Sequence, residues 1–67
     1  MKIRLNNRDE EIERQSLTVS ELLAYKKYTF RLRTVKVNGA YIHPDLYDST
    51  IIRDGDNVQV IYLMSGG

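Results

Sequence analysis

The segment Leu17-Thr18-Val19-Ser20-Glu21-Leu22-Leu23 decides how this chain folds, because it predicts a helix between two groups of strands. Thr18 and Glu21 have the spacing of a capping box. In that motif the Thr hydroxyl accepts a hydrogen bond from a backbone N–H of the first turn, and the Glu side chain returns to the cap. The apolar positions that follow have helical spacing. We therefore predict one helix over about residues 19–27.

The segment before this helix predicts a β-hairpin. Residues 1–5 and 10–14 alternate apolar and charged side chains, the pattern of strands with one buried face. The four residues Asn6-Asn7-Arg8-Asp9 are expected to form the turn, because Asn tolerates positive φ.

Three further apolar segments follow the helix. Residues 34–37 predict a strand that ends in an Asn38-Gly39 turn, and Tyr41-Ile42 is at most a short edge strand, since a proline interrupts pairing nearby. Ile51-Ile52 is expected to return to the core, and residues 58–64 predict the last strand.

This order of elements indicates an α+β fold, a β-grasp (ubiquitin-like) roll. We expect a mixed four- to five-stranded sheet with one helix packed across one face and the first and last strands side by side in its centre. Phe30 is expected to close the lower end of the core. The other expected core residues are Ile3, Leu5, Ile12, Val19, Leu22, Leu23, Val35, Val37, Ile52, Val58 and Val60.

Size and composition exclude several classes of function. A chain of 67 residues is one domain with little room for an enclosed active site. Its net charge of +1 gives no electrostatic case for nucleic-acid binding. The absence of cysteine and a single histidine argue against zinc fingers, disulfides, thiol nucleophiles and a metal site. Without a membrane span or a secretory signal, the protein is expected to be cytoplasmic.

The last strand differs from the earlier ones, which keep one polar face. If Val58 and Val60 face the helix, then Ile61 and Leu63 lie on the other face of the sheet, where this chain has no second helix to cover them. We interpret Ile61 and Leu63 as part of a partner interface. The alternative is a central strand buried on both faces by packing alone.

The C-terminal tail is the most specific indication of function in the sequence. We divide the chain into a domain, residues 1–64, and a flexible Ser-Gly-Gly tail, residues 65–67. Gly66 and Gly67 have no Cβ, so such a tail could thread a narrow channel. Its carboxylate would be ionised at neutral pH and could act as a nucleophile. The alternative is frayed glycine at a chain end.

Taken together, these features resemble the ThiS family of sulfur carrier proteins, within the ubiquitin-like β-grasp superfamily. The resemblance runs from Met1 to Gly67 and departs from the family at His43-Pro44-Asp45 and at Tyr47. The segments that carry it are Met1–Arg14, Leu17–Leu23, Val35-Lys36-Val37-Asn38-Gly39, Asp54-Gly55-Asp56 and Gly66-Gly67.

The resemblance implies a carrier and not an enzyme. A ThiF-like adenylyltransferase, using ATP and Mg²⁺, would join the carboxylate of Gly67 to AMP. A cysteine desulfurase or rhodanese-type donor would then supply sulfur, and thiazole synthase would take it from the Gly67 thiocarboxylate for thiamine. Gly66 would precede Gly67 without adding a side chain, and Met64 and Ser65 would line the entry of the tail. The chain itself would bind no cofactor.

Several alternatives remain open at this stage. The same carrier chemistry could serve molybdopterin, tungstopterin or cysteine synthesis. The chain could also be a ubiquitin-like protein modifier or a non-catalytic interaction module. The basic cluster within residues 26–36 is interpreted as a solvated surface, with an RNA or acidic-partner patch as the alternative. Asp54 and Asp56 predict a polar turn more strongly than a cation site.

Overall fold

The computed structural model of the protein describes residues 1–28 and 33–62, and Phe30 lies outside the described residues. The elements in chain order are β1 (Lys2–Leu5), β2 (Arg8–Glu11), β3 (Ser16–Thr18), α1 (Val19–Tyr25), β4 (Arg33–Val37), β5 (Ala40–Ile42), a 3₁₀ turn (Pro44–Leu46), β6 (Ile51–Arg53) and β7 (Asn57–Tyr62).

The main sheet has five strands in the order β2-β1-β7-β4-β5. β1 and β7 are parallel, and the other neighbouring strands are antiparallel. The predicted mixed sheet, with the first and last strands side by side, is therefore confirmed. This arrangement gives β7 a neighbour on each side.

A second sheet of two strands, β3 and β6, was not predicted. Leu17 on β3 pairs with Ile52 on β6, and both side chains are buried. Ile51 was expected in the core but is 39% exposed, because adjacent residues of a strand point to opposite faces. The small sheet joins the start of α1 to the segment that leads into β7.

The capping box at the start of α1 is confirmed. The hydroxyl of Thr18 accepts from the N–H of Glu21 at 3.0 Å, and the carboxylate of Glu21 accepts from the N–H of Thr18 at 2.9 Å. The hydrogen bond from the Thr18 backbone is the main cause that lowers the pKa of Glu21. The motif anchors the end of α1 that follows β3.

α1 ends at Tyr25, two residues earlier than predicted. Lys27 adopts a left-handed conformation, with φ of 57°, and the N–H of Tyr28 donates to the carbonyl of Leu23 at 2.8 Å. The N–H of Lys27 donates to the carbonyl of Ala24 at 3.1 Å. These two hydrogen bonds form a Schellman motif, which terminates the helix.

The core lies between α1 and one face of the main sheet. Apart from Phe30 and Ile51, eleven residues were expected in the core; ten of them are buried, and the eleventh, Val37, packs against them partly buried. Leu17 and Tyr47 are also buried, which adds the second sheet and the 3₁₀ turn to the same cluster. The faces of the strands were therefore predicted correctly over most of the chain.

Both hairpin turns of the main sheet have two residues. The first is Asn6-Asn7, with φ of 51° and 67°, so β2 begins at Arg8 and the predicted four-residue turn is wrong. The second is Asn38-Gly39, as predicted, with φ of 52° and 84°. Positive φ at both central residues is the conformation in which a two-residue turn matches the twist of its strands.

Candidate functional site

The candidate site is the C-terminal half of β7 and the face of the main sheet opposite α1. Val58 and Val60 face α1 and are 0% and 4% exposed. Ile61 lies on the other face and is 45% exposed. The predicted direction of Ile61 is therefore confirmed, and its role as a partner contact stays a prediction.

Neighbouring strands extend this exposed surface beyond Ile61. Strand register places Thr34 opposite Ile61, Lys36 opposite Gln59, and Tyr41 opposite Lys36. Tyr41 is 57% exposed, whereas Thr34, Lys36 and Gln59 are half-buried. We call these five residues the open-face strip. It combines two exposed apolar side chains with polar neighbours, a composition typical of protein interfaces.

The other predicted site residues follow β7 directly. Leu63, Met64, Ser65, Gly66 and Gly67 lie outside the described residues. Their roles in the interface and the tail stay predictions. Tyr62 is the last residue of β7, and the path to Gly67 begins there.

Aromatic packing supports the end of β7 on the side of α1. The rings of Tyr62 and Tyr28 meet edge to face, with their centroids 5.8 Å apart. Burial is the main cause that raises the pKa of the Tyr62 hydroxyl, and the neighbouring Tyr28 adds to it. Tyr62 therefore lies on the α1 side of the sheet, opposite the open-face strip. Its packing against Tyr28 stabilises the end of β7.

Two asparagines from the hairpin turns bind β7 at separate points. At its start, the N–H of Asn57 donates to the side-chain oxygen of Asn38 at 2.9 Å, and the N–H of Asn38 donates to the carbonyl of Asn57 at 2.7 Å. Further along, the N–H of Val60 donates to the side-chain oxygen of Asn6 at 2.8 Å. Side chains as well as neighbouring strands therefore position β7.

The carboxylates of Asp54 and Asp56 serve the turn between β6 and β7. Asp54 accepts from the N–H of Lys2 at 2.7 Å, and Asp56 accepts from the N–H of Arg53 at 2.9 Å. The interpretation as a turn is confirmed. In the part of the chain that the structure describes, no group of three or more His, Asp or Glu side chains could hold a metal ion.

The basic residues of the 26–36 cluster that the structure describes do not form one surface; Arg31 lies outside the described residues. Lys26 is ion-paired with Glu10, whose hydrogen bond is the main cause that raises the pKa of Lys26. The guanidinium of Arg33 lies 5.5 Å from the ring centroid of Tyr47, on the side of α1. Lys36 is on the opposite face. This distribution argues against a single basic patch formed by these three residues.

Sequence reasoning missed two features of the site. Tyr41 was expected on a short edge strand, and its place in the open-face strip was not predicted. The two-residue turn Asn38-Gly39 already fixes its register, because it sets Lys36 opposite Tyr41. The bond between Asn6 and Val60 joins residues 54 positions apart, and nothing local in the sequence signals it.

Over residues 1–28 and 33–62 there is no helix with the length and apolar character needed to span a membrane.

Solved structures and a family model are similar to this chain over nearly all of its length. A crystal structure of the thiamine biosynthesis protein ThiS from Geobacter metallireducens is 33% identical, with a TM-score of 0.91 and full coverage of both chains. A solution structure of a thiamine biosynthesis protein from the same organism is also 33% identical, with a TM-score of 0.82. It is matched over all of this chain and 88% of its own. The sequence matches none of the curated proteins. The model of the ThiS family matches residues 3–67, and the chain therefore belongs to the ThiS family.

Proposed function

We propose that this protein is a sulfur carrier for thiamine biosynthesis, and that the carboxylate of Gly67 carries the sulfur. The observation that supports this most is the match to the ThiS family, which extends to residue 67 and so includes both terminal glycines. The likeness to a thiamine biosynthesis protein over the whole of both chains supports the pathway. In this proposal the chain is a substrate of other enzymes and not a catalyst.

The first step is adenylation of Gly67. An oxygen of its carboxylate attacks the α-phosphorus of ATP, and pyrophosphate leaves as the phosphorus–oxygen bond breaks. The product is an acyl-adenylate, in which AMP is a good leaving group. ATP, Mg²⁺ and the catalytic groups belong to a ThiF-like adenylyltransferase.

The second step replaces AMP with sulfur. The terminal sulfur of a persulfide, carried by a cysteine desulfurase or rhodanese-type donor, attacks the carbonyl carbon of Gly67 and AMP leaves. A second thiol then cleaves the resulting acyl disulfide, which leaves a thiocarboxylate on Gly67 and a disulfide on the donor side. Thiazole synthase takes the sulfur from the thiocarboxylate. The sulfur comes from outside, so the carrier requires no cysteine of its own, and its sequence has none.

The open-face strip is the surface that docks on the adenylyltransferase. Ile61 provides an exposed apolar anchor only six residues before Gly67, so a partner that covers Ile61 also lies within reach of the tail. Leu63 extends the anchor, and Met64, Ser65 and Gly66 enter the channel that leads to ATP. Side-chain-free glycines at the end suit a channel too narrow for a Cβ.

The test is ATP–pyrophosphate exchange by a ThiF-like adenylyltransferase that is active on its own carrier. We expect this chain to support the exchange and a variant that lacks Gly67 to abolish it. The matched control is Lys27→Gly, which changes an exposed residue at the end of α1 and suits its left-handed conformation. The control should retain full activity. Exchange that persists without Gly67 would contradict the proposal.

A further inference from the structure

We infer that Asn6 is a positioning residue for the reaction at Gly67, because its side chain holds the C-terminal half of β7. This inference rests on the proposed function, in which Gly67 is the reacting residue. Asn6 does not touch the reacting atoms in this account. It acts through β7, which carries Ile61 and leads to the tail.

The pairing of β1 with β7 explains why such a residue is needed. Leu5, the last residue of β1, lies opposite Val58. β7 continues for four residues beyond Val58, to Tyr62. On the side of β1, this half of β7 has therefore passed the end of the neighbouring strand. A strand that outruns its neighbour loses ladder hydrogen bonds on that edge and frays more readily.

Asn6 continues the ladder with one backbone and one side-chain hydrogen bond. Its N–H donates to the carbonyl of Val58 at 2.9 Å, and its side-chain oxygen accepts from the N–H of Val60 at 2.8 Å. The side chain thus takes the place of the strand residue that β1 no longer supplies. Asn adopts the left-handed conformation of this turn more readily than most residues, and Gly, which adopts it freely, has no side-chain acceptor.

The surroundings of this bond determine what its loss would do. Asn6 lines a cleft of about 470 Å³ together with Leu5, Lys26 and Tyr28. Asn6 is exposed, so water could reach a Val60 amide freed from its side chain. The expected result is a looser end of β7 within a folded protein, and not global unfolding. Ile61 stays paired with Thr34 on β4, so docking should be retained. The tail would leave the loosened end of β7 in more orientations, and fewer docked carriers would have Gly67 aligned for attack.

The chain provides a matched control in the adjacent residue. Asn7 shares the turn, has a φ of 67° and is exposed. Asn7→Gly adds backbone freedom to the same turn and keeps the contact between Asn6 and Val60. Asn6→Gly adds similar freedom and removes the acceptor. Asn6→Asp keeps a side-chain oxygen at the same position, so it should rescue the function.

The experiment combines two measurements on wild type and these variants at a temperature where all are folded. The first is amide hydrogen exchange at Val60, and the second is kcat and KM for adenylation of the carrier. For Asn6→Gly we expect exchange at Val60 to be faster by roughly tenfold and kcat to fall by roughly fivefold, with KM unchanged. Asn6→Asp should restore both values, and Asn7→Gly should match wild type.

Asn6→Ser serves as a second variant, because its shorter side chain cannot span the contact and should repeat the loss. The inference is overturned if protection at Val60 is unchanged in Asn6→Gly and Asn6→Ser, or if Asn7→Gly lowers kcat as much as Asn6→Gly. An equal loss in Asn6→Asp would also overturn it. A wild-type chain that is not adenylated at all would sink the proposed function, whereas an adenylated wild type with an unimpaired Asn6→Gly would sink this inference alone.

Discussion

The two faces of the main sheet differ in what they contribute. On the face that packs against α1, Val58, Val60 and Val35 are buried with the apolar side chains of the helix. On the opposite face, Ile61 and Tyr41 are exposed, although they belong to the same or neighbouring strands. One face therefore supplies the stability of the fold. Substitutions on the other face should change the stability of the free protein only slightly. The residues on that face can therefore be determined by binding to a partner.

The largest effect is expected from a change on the helix face. Leu22→Ala removes a fully buried side chain and should lower the free energy of unfolding by about 2–5 kcal/mol. A chain of 67 residues has a total stability of about 3–10 kcal/mol, so this loss is close to unfolding it. Urea denaturation followed by circular dichroism measures the difference. Ile61→Ala, the matched change on the open face, should cost less than about 1 kcal/mol. Equal losses in the two variants would remove the contrast between the faces.

The second prediction concerns activity, for which we expect the open face to be important. Ile61→Asp places a charge in the open-face strip and should lower kcat/KM for adenylation by about tenfold or more, with little change in Tm. Ile51→Asp is the control, because Ile51 is similarly exposed but lies on β6, outside the strip. The docking role of the strip fails if both variants keep wild-type kcat/KM, or if Ile51→Asp is the more impaired.

The third prediction concerns the helix that covers one face. Thr18→Ala removes the acceptor for the N–H of Glu21 and should destabilise the protein by about 1 kcal/mol. Thr18→Ser retains a hydroxyl and should lose much less. Adenylation should be unchanged in both variants at a temperature where they are folded, because the capping box lies on the face opposite the strip. A loss of kcat/KM without a loss of stability would contradict this separation.

The smallest effect is the pH dependence that Glu21 adds to stability. The pKa of Glu21 is lower in the folded protein than in the unfolded chain, so the folded state favours the ionised carboxylate. Its contribution is present above the unfolded pKa of about 4.3 and is lost as the pH falls through the lower folded value. Wild type should therefore lose more Tm between pH 5 and pH 3 than Glu21→Gln. Identical profiles for the two proteins would show that the ionised capping box does not stabilise the fold.

The sequence predicted those features that depend on local pattern. Alternation placed Val58 and Val60 inside and Ile61 outside, and the spacing of Thr18 and Glu21 located the start of α1. The β-grasp order followed from these elements because one helix between strands can cover only one face of the sheet. Long-range pairing was harder to predict. β3 and β6 have three residues each, too few for a periodic signal, and their pairing depends on the folded arrangement.

The same distinction between local pattern and long-range contact applies to the candidate site. Ile61 could be assigned to the open face from alternation, and Gly66 and Gly67 could be assigned a role from the family resemblance. The bond from Asn6 to Val60 could not be predicted, because the sequence around Asn6 indicates only a turn. Only the folded chain brings its side chain to β7.

The central claim is that the chemistry of this protein takes place on the carboxylate of Gly67. The most direct test is intact mass spectrometry after incubation with an active ThiF-like adenylyltransferase, ATP, Mg²⁺ and a persulfide donor, followed by fragmentation. We expect a gain in mass equal to one sulfur replacing one oxygen, located on Gly67. An unchanged mass, with an adenylyltransferase that converts its own carrier under the same conditions, would contradict it, as would sulfur found on any other residue.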